Sequence, residues 1–133
     1  MTVRVRWFAL LGVFLLAALP SVAGDDVTLE GGFVWEREDG NHEGDLKAVL
    51  TPAGDGEWDV SFYFDWEDGP HVYTGKCMGS LEGELTGNIK ADGDREMNFT
   101  FAGAFEDGKF SGTHNFLSKE GEENKAGTLT LSH

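Results

Sequence analysis

From residue 27 onward, apolar and polar residues alternate nearly one for one, in runs of 8 to 11 residues. In WDVSFYFDW (58–66), Trp58, Val60, Phe62, Phe64 and Trp66 share one parity, and Asp59, Ser61, Tyr63 and Asp65 take the other. In MNFTFAGAF (97–105) it is Met97, Phe99, Phe101, Gly103 and Phe105 against Asn98, Thr100, Ala102 and Ala104. A strand points successive side chains to opposite faces, so this pattern predicts strands with one buried face. Segments 27–37, 44–51, 71–81, 84–91, 109–117 and 125–132 read the same way, and no segment has the 3.6-residue period of a helix.

Acid-glycine pairs punctuate these runs: Asp39-Gly40, Asp55-Gly56, Asp68-Gly69, Glu82-Gly83, Asp92-Gly93, Asp107-Gly108 and Glu120-Gly121. Asp-Gly suits a type I′ hairpin turn, which needs positive φ at both central residues. Seven turns join eight strands. Glu30-Gly31 and Glu43-Gly44 belong to the same class of pair and have to lie inside or beside strands.

One inner face per strand places Phe33, Trp35, Trp58, Phe62, Phe64, Trp66, Tyr73, Phe99, Phe101, Phe105, Phe110 and Phe116 inside, and leaves only Tyr63 of the later aromatics outside. GSLEGELTG (79–87) and GAFEDGKFSG (103–112) repeat one design, a turn flanked by two inward apolar residues. Short connections make sequential strands antiparallel neighbours. Eight of them can close by pairing the first with the last, which removes both sheet edges. Inner-face Gly31, Gly75, Gly79, Gly87, Gly103, Gly112 and Gly127 suit the bends of a barrel. The expected fold is therefore all-β, an eight-stranded antiparallel up-and-down meander barrel, with a two-sheet sandwich as the rival. The pattern, with Trp35 in the first strand, resembles the avidin and lipocalin (calycin-type) group of barrels. That resemblance implies the fold and brings no ligand-binding residues with it. In GGFVW, Gly31 and Gly32 stand four and three residues before Trp35, where the lipocalin signature has a spacing of two.

The first residues fall outside this scheme. Arg4 and Arg6 precede the apolar run FALLGVFLLAAL, and Ser21 and Ala23 form a small pair suited to cleavage. This reads as a secretory signal peptide over 1–23, followed by one domain over 24–133, secreted to a periplasmic or extracellular compartment. The apolar run is too short for a membrane span, which needs about 20 residues. The single cysteine, Cys77, has no partner for an internal disulfide.

The 133-residue chain carries a formal charge of −14, and without Arg4 and Arg6 it has eight basic against 24 acidic residues, or −16. Such a surface repels phosphate backbones and anionic lipid, so nucleic acid is excluded as a partner. A basic protein is compatible with it, as for some exported hydrolase inhibitors. Solubility alone would also account for the charge.

Candidate chemistry is sparse. ADGDRE offers Asp92, Asp94 and Glu96, and EREDGNHEGD offers Glu38, Asp39, Glu43 and Asp45. Neither has the spacing of a calcium loop, and solvated turn acids explain both. His42 and His71 sit at or near turns and His133 at the tail, without a zinc pattern. His114 shares the inner parity of Phe110, Gly112 and Phe116, and Tyr73 and Cys77 also point inward. A Cys-His pair is a nucleophile and base if close, but both residue types are also ordinary buried ones. No nucleophile elbow occurs, and the acid pairs lie on outer faces or tips, so no enzyme and no cofactor are expected. Asn98-Phe99-Thr100 fits a glycosylation sequon facing outward. The expected function is non-catalytic binding of a small apolar or aromatic ligand in the lumen, with Trp35, Phe64, Tyr73, Cys77 and His114 as candidate lining residues. An eight-stranded barrel either fills with its own side chains or holds one small ligand. The inward aromatics favour filling, and the inward glycines favour space.

Overall fold

The computed structural model describes residues 25–67, 69–92 and 97–133. Among these the chain forms eight strands: β1 (Val27–Trp35), β2 (His42–Gly54), β3 (Glu57–Trp66), β4 (Gly69–Gly79), β5 (Glu84–Lys90), β6 (Asn98–Glu106), β7 (Lys109–Leu117) and β8 (Glu123–Ser132). Each pairs antiparallel with the next. The ladder between β1 and β8, from Glu30↔Ser132 to Trp35↔Gly127, closes the cylinder. The fold is the up-and-down barrel rather than the sandwich. The expected signal peptide lies outside the described residues.

The alternation fixes the faces as the pattern requires. Leu29, Leu50, Phe110 and Cys77 are essentially sealed from solvent, and Val60, Phe62, Leu85, Phe101, Leu129 and Leu131 join them in one core. Tyr63 is exposed on the outside, where the Lys47 ammonium sits 5.1 Å from its ring centroid. Glu30-Gly31 and Glu43-Gly44 fall within β1 and β2.

All seven acid-glycine pairs mark connections, but they are not seven copies of one turn. Asp107 is the only non-glycine with positive φ among the described residues, at 52°, followed by Gly108 at 79°. It makes the tight hairpin that pairs Phe105 with Phe110. Asp55-Gly56 departs from the type I′ expectation. Positive φ falls on Gly54 and Gly56, and the register slips between Pro52 and Gly54, where proline has no N–H to give the ladder.

Phe116 corrects the inner-face assignment: it is 37% exposed, one residue from the end of β7, where the strand reaches solvent. One further irregularity shapes this end. His114 pairs with Gly127 and Asn115 with Lys125, so Ala126 is the extra residue of a β-bulge, and Ala126 and Gly127 are both buried beside His114.

Candidate functional site

The barrel has two unlike ends. At one, the connections 55–56, 80–83 and 107–108 sit over a packed floor in which the Phe105 and Phe110 rings lie 5.3 Å apart and the Trp58 indole N–H donates to the Gly79 carbonyl at 3.2 Å. At the other, the strand ends Trp35, Trp66, Lys90 and Leu117 and the strand starts His42, Gly69, Asn98 and Glu123 surround a mouth. Beneath the mouth lies a cavity of about 160 Å³. Its base is the contact of Phe62 with Phe101, ring centroids 5.2 Å apart, which crosses the lumen between β3 and β6.

The walls are mostly arene. Phe33 and Trp35 from β1 meet Phe64 and Trp66 from β3, with Phe33–Phe64 edge-to-face at 5.5 Å and Trp35–Trp66 tilted at 5.0 Å. Opposite them, Tyr73, Phe99 and His114 run across β4, β6 and β7 with near-parallel rings at 5.8 and 6.4 Å. Leu46, Ile89 and Leu129 fill between, and Met97 and Ala126 complete the rim. Among the described residues, no acid, lysine or arginine lines the cavity.

Of the residues expected in the lumen, Trp35, Phe64, Tyr73 and His114 line this cavity. Cys77 does not. It is buried nearer the floor, against Gly87 and opposite Trp58, and burial pushes its thiol up to about 12, with the nearby Asp59 charge adding to the effect. A thiol held protonated and absent from the cavity wall offers His114 no nucleophile to activate.

His71, read from sequence as lying at or near a turn at the start of segment 71–81, is buried and lines the cavity, stacked 5.5 Å from Phe64. Its Nδ1 donates to Asp92 Oδ1 at 3.1 Å, and the Val72 amide donates to Asp92 Oδ2 at 3.4 Å. The His71 hydrogen bond, foremost, and the Val72 amide hold the Asp92 carboxyl below its usual value. The signal for His71 was present in the sequence: it has the parity of Tyr73 and Cys77, and β4 begins at Gly69, two residues before the expected start.

His114 Nε2 lies 3.4 Å from the Val34 carbonyl. A carbonyl only accepts, so Nε2 carries the hydrogen and donates. Burial lowers the pKa of the imidazole, partly opposed by the Glu36 charge. Gly127 allows this approach, since a Cβ there would fall 1.7 Å from Val34 O and 2.7 Å from His114 Nε2.

No group of three or more His, Cys, Asp or Glu among the described residues is placed to hold a metal ion. Asp94 and Glu96 lie outside the described residues. Comparison with protein-family models, with curated proteins and with solved structures finds no match to this chain.

Proposed function

We propose that this chain is an exported, non-catalytic binding module that holds one small apolar or aromatic ligand in the mouth of its barrel. The observation that carries this reading is the aromatic cavity of about 160 Å³. A dry apolar cavity of about 150 Å³ is large enough to take benzene. Pockets of this kind are largely apolar with a few polar groups that orient the guest, here His71, Tyr73 and His114. The eight-stranded closed barrel is consistent with calycin-type binding barrels, and the signal-like leader suits export. The sealed Cys77 thiol weighs against nucleophilic chemistry.

Trp35 and Trp66 line the cavity, so intrinsic fluorescence reports occupancy. Titration with benzene or a similar single-ring compound is expected to change their emission saturably, and Ile89→Phe, which adds bulk to the wall, to abolish the response. Emission unchanged across a panel of single-ring compounds would defeat the reading.

A second reading, docking of a basic protein, is favoured by one specific feature. Among the described residues, the connections at the mouth carry seven acidic and two basic residues, whereas the three at the floor carry three acidic and none basic. Electrostatic docking would weaken as salt rises, with a screening length of about 8 Å at physiological strength.

A further inference from the structure

Resting on the reading of the cavity as a ligand site, we propose that its preferred occupant is a small organic cation, an alkylammonium headgroup held against the faces of the mouth tryptophans and phenylalanines. Three independent features of the cavity agree on the sign of charge it would take.

The first is the wall. Aromatic rings present negative faces, and a cation within about 6 Å of a ring centroid is attracted to them, most strongly by tryptophan. The chain already shows this at one wall residue: the Arg37 guanidinium lies 5.0 Å from the centroid of Trp35.

The second is the polarity of the groups inside. His114 has its N–H committed to Val34 O, so the neutral ring keeps its acceptor lone pair on Nδ1. Burial favours that neutral form, which leaves no fixed positive charge at His114 to repel a guest. The His71 Nδ1–H is likewise spent on Asp92. An anion would find no lysine or arginine on the described wall.

The third is the rim. Glu36 and Asp92 stand beside the two cavity histidines, Glu36 acting on His114 through its charge and Asp92 bonded to His71. Two of the described cations near the mouth are already paired with acids: Lys125 Nζ is 3.5 Å from Glu36 and Arg37 Nε is 3.4 Å from Asp39. A neutral hydrocarbon would use the volume and leave this field idle. A trimethylammonium group uses both, since its methyl surface is apolar and its charge is spread over it.

The test pairs choline with 3,3-dimethylbutan-1-ol, in which carbon replaces nitrogen so that shape is kept and charge removed. Both are titrated into the full chain by tryptophan fluorescence, with benzene as a neutral reference. Choline is expected to bind about tenfold more tightly than the alcohol, with an advantage that shrinks as salt rises. Trp66→Leu, which keeps apolar bulk and removes the ring face, is expected to erase the preference while the alcohol still binds, and Trp66→Phe to retain most of it. If circular dichroism shows Trp66→Leu unfolded, Glu36→Gln replaces it, with a severalfold loss for choline and none for the alcohol.

Equal or tighter binding of the alcohol overturns the inference. So does a choline preference that the substitution leaves intact. Benzene binding without choline binding overturns the cation alone, whereas failure of all three compounds overturns the cavity reading with it.

Discussion

The two ends of this barrel are made from the same alternating strands and differ in what faces the axis. At the floor, Phe110, Leu29 and Leu50 are each 1% exposed and belong to one buried core. At the mouth, Trp35, Trp66 and Phe99 are only half-buried, Phe116 is exposed, and the rings enclose space instead of filling it. Rings meet at an angle at both ends, Phe105 and Phe110 at 5.3 Å on the floor and Trp35 and Trp66 at 5.0 Å at the mouth, but on the floor Leu29, Leu50, Leu85 and Leu131 share the core with them, whereas the cavity wall at the mouth is mostly ring. The floor is the part that holds the fold together, and the mouth is the part that can spare stability for recognition.

The sharpest way to break the comparison is to truncate one phenylalanine at each end. Phe110→Ala is expected to cost about 3–5 kcal/mol in urea unfolding, as full burial dictates. Phe116→Ala, at 37% exposure, is expected to cost under about 1 kcal/mol. Comparable losses at the two positions would show that the mouth carries as much of the fold as the floor.

Next in size is Gly127→Ala. Its methyl would have to displace the Val34 carbonyl and the His114 ring, at an expected cost of about 2–3 kcal/mol. Ligand-induced fluorescence change should fall in the same variant, since both neighbours belong to the mouth. A stable variant with unchanged binding would show that the bulge at Ala126-Gly127 does not set the cavity.

Acid should separate the ends more gently. His114 has its pKa lowered in the folded state, chiefly by burial, so the unfolded chain takes up the proton first. Stability is then complete above the ordinary histidine value of about 6.5 and declines as pH falls from there toward the depressed folded value. Asp92, also lowered, adds stability above its usual carboxylate value that is lost in stronger acid, as pH falls through its folded value. Amide protection factors, taken relative to the intrinsic exchange rate at each pH, should fall in the mouth halves of β1 and β7 between pH 7 and 5 before those of the floor halves. His114→Phe should remove most of that difference, and a uniform loss of protection in the parent would count against it.

The smallest effect concerns Cys77. With its thiol pushed up to about 12, it is expected to resist iodoacetamide at pH 8 in the folded chain and to react on unfolding in urea. Cys77→Ala should leave ligand titrations unchanged. Rapid native alkylation would mean that the floor opens to solvent.

Much of this architecture was legible in the order of residues. Alternation placed Phe62, Phe101 and Phe110 inside and Tyr63 outside, and acid-glycine punctuation placed all seven connections. Legibility weakened wherever height along the barrel mattered. Tyr73 and Cys77 share a strand and a face, yet one lines the cavity and the other is sealed nearer the floor. His71 was hidden because its strand begins two residues before the expected boundary. Phe116 kept its parity and lost its cover.

What the sequence determined by itself was the number of strands, their order and the face each residue takes, because a period of two is written into adjacent positions and needs no partner. Only the tertiary structure decided which of those inward residues stand level with one another. That depends on inter-strand register, on the bulge at Ala126 and on the slip at Pro52, which are settled by hydrogen bonds between segments distant in the chain. The cavity is what those staggers leave over, and a volume between side chains belongs to no residue in particular.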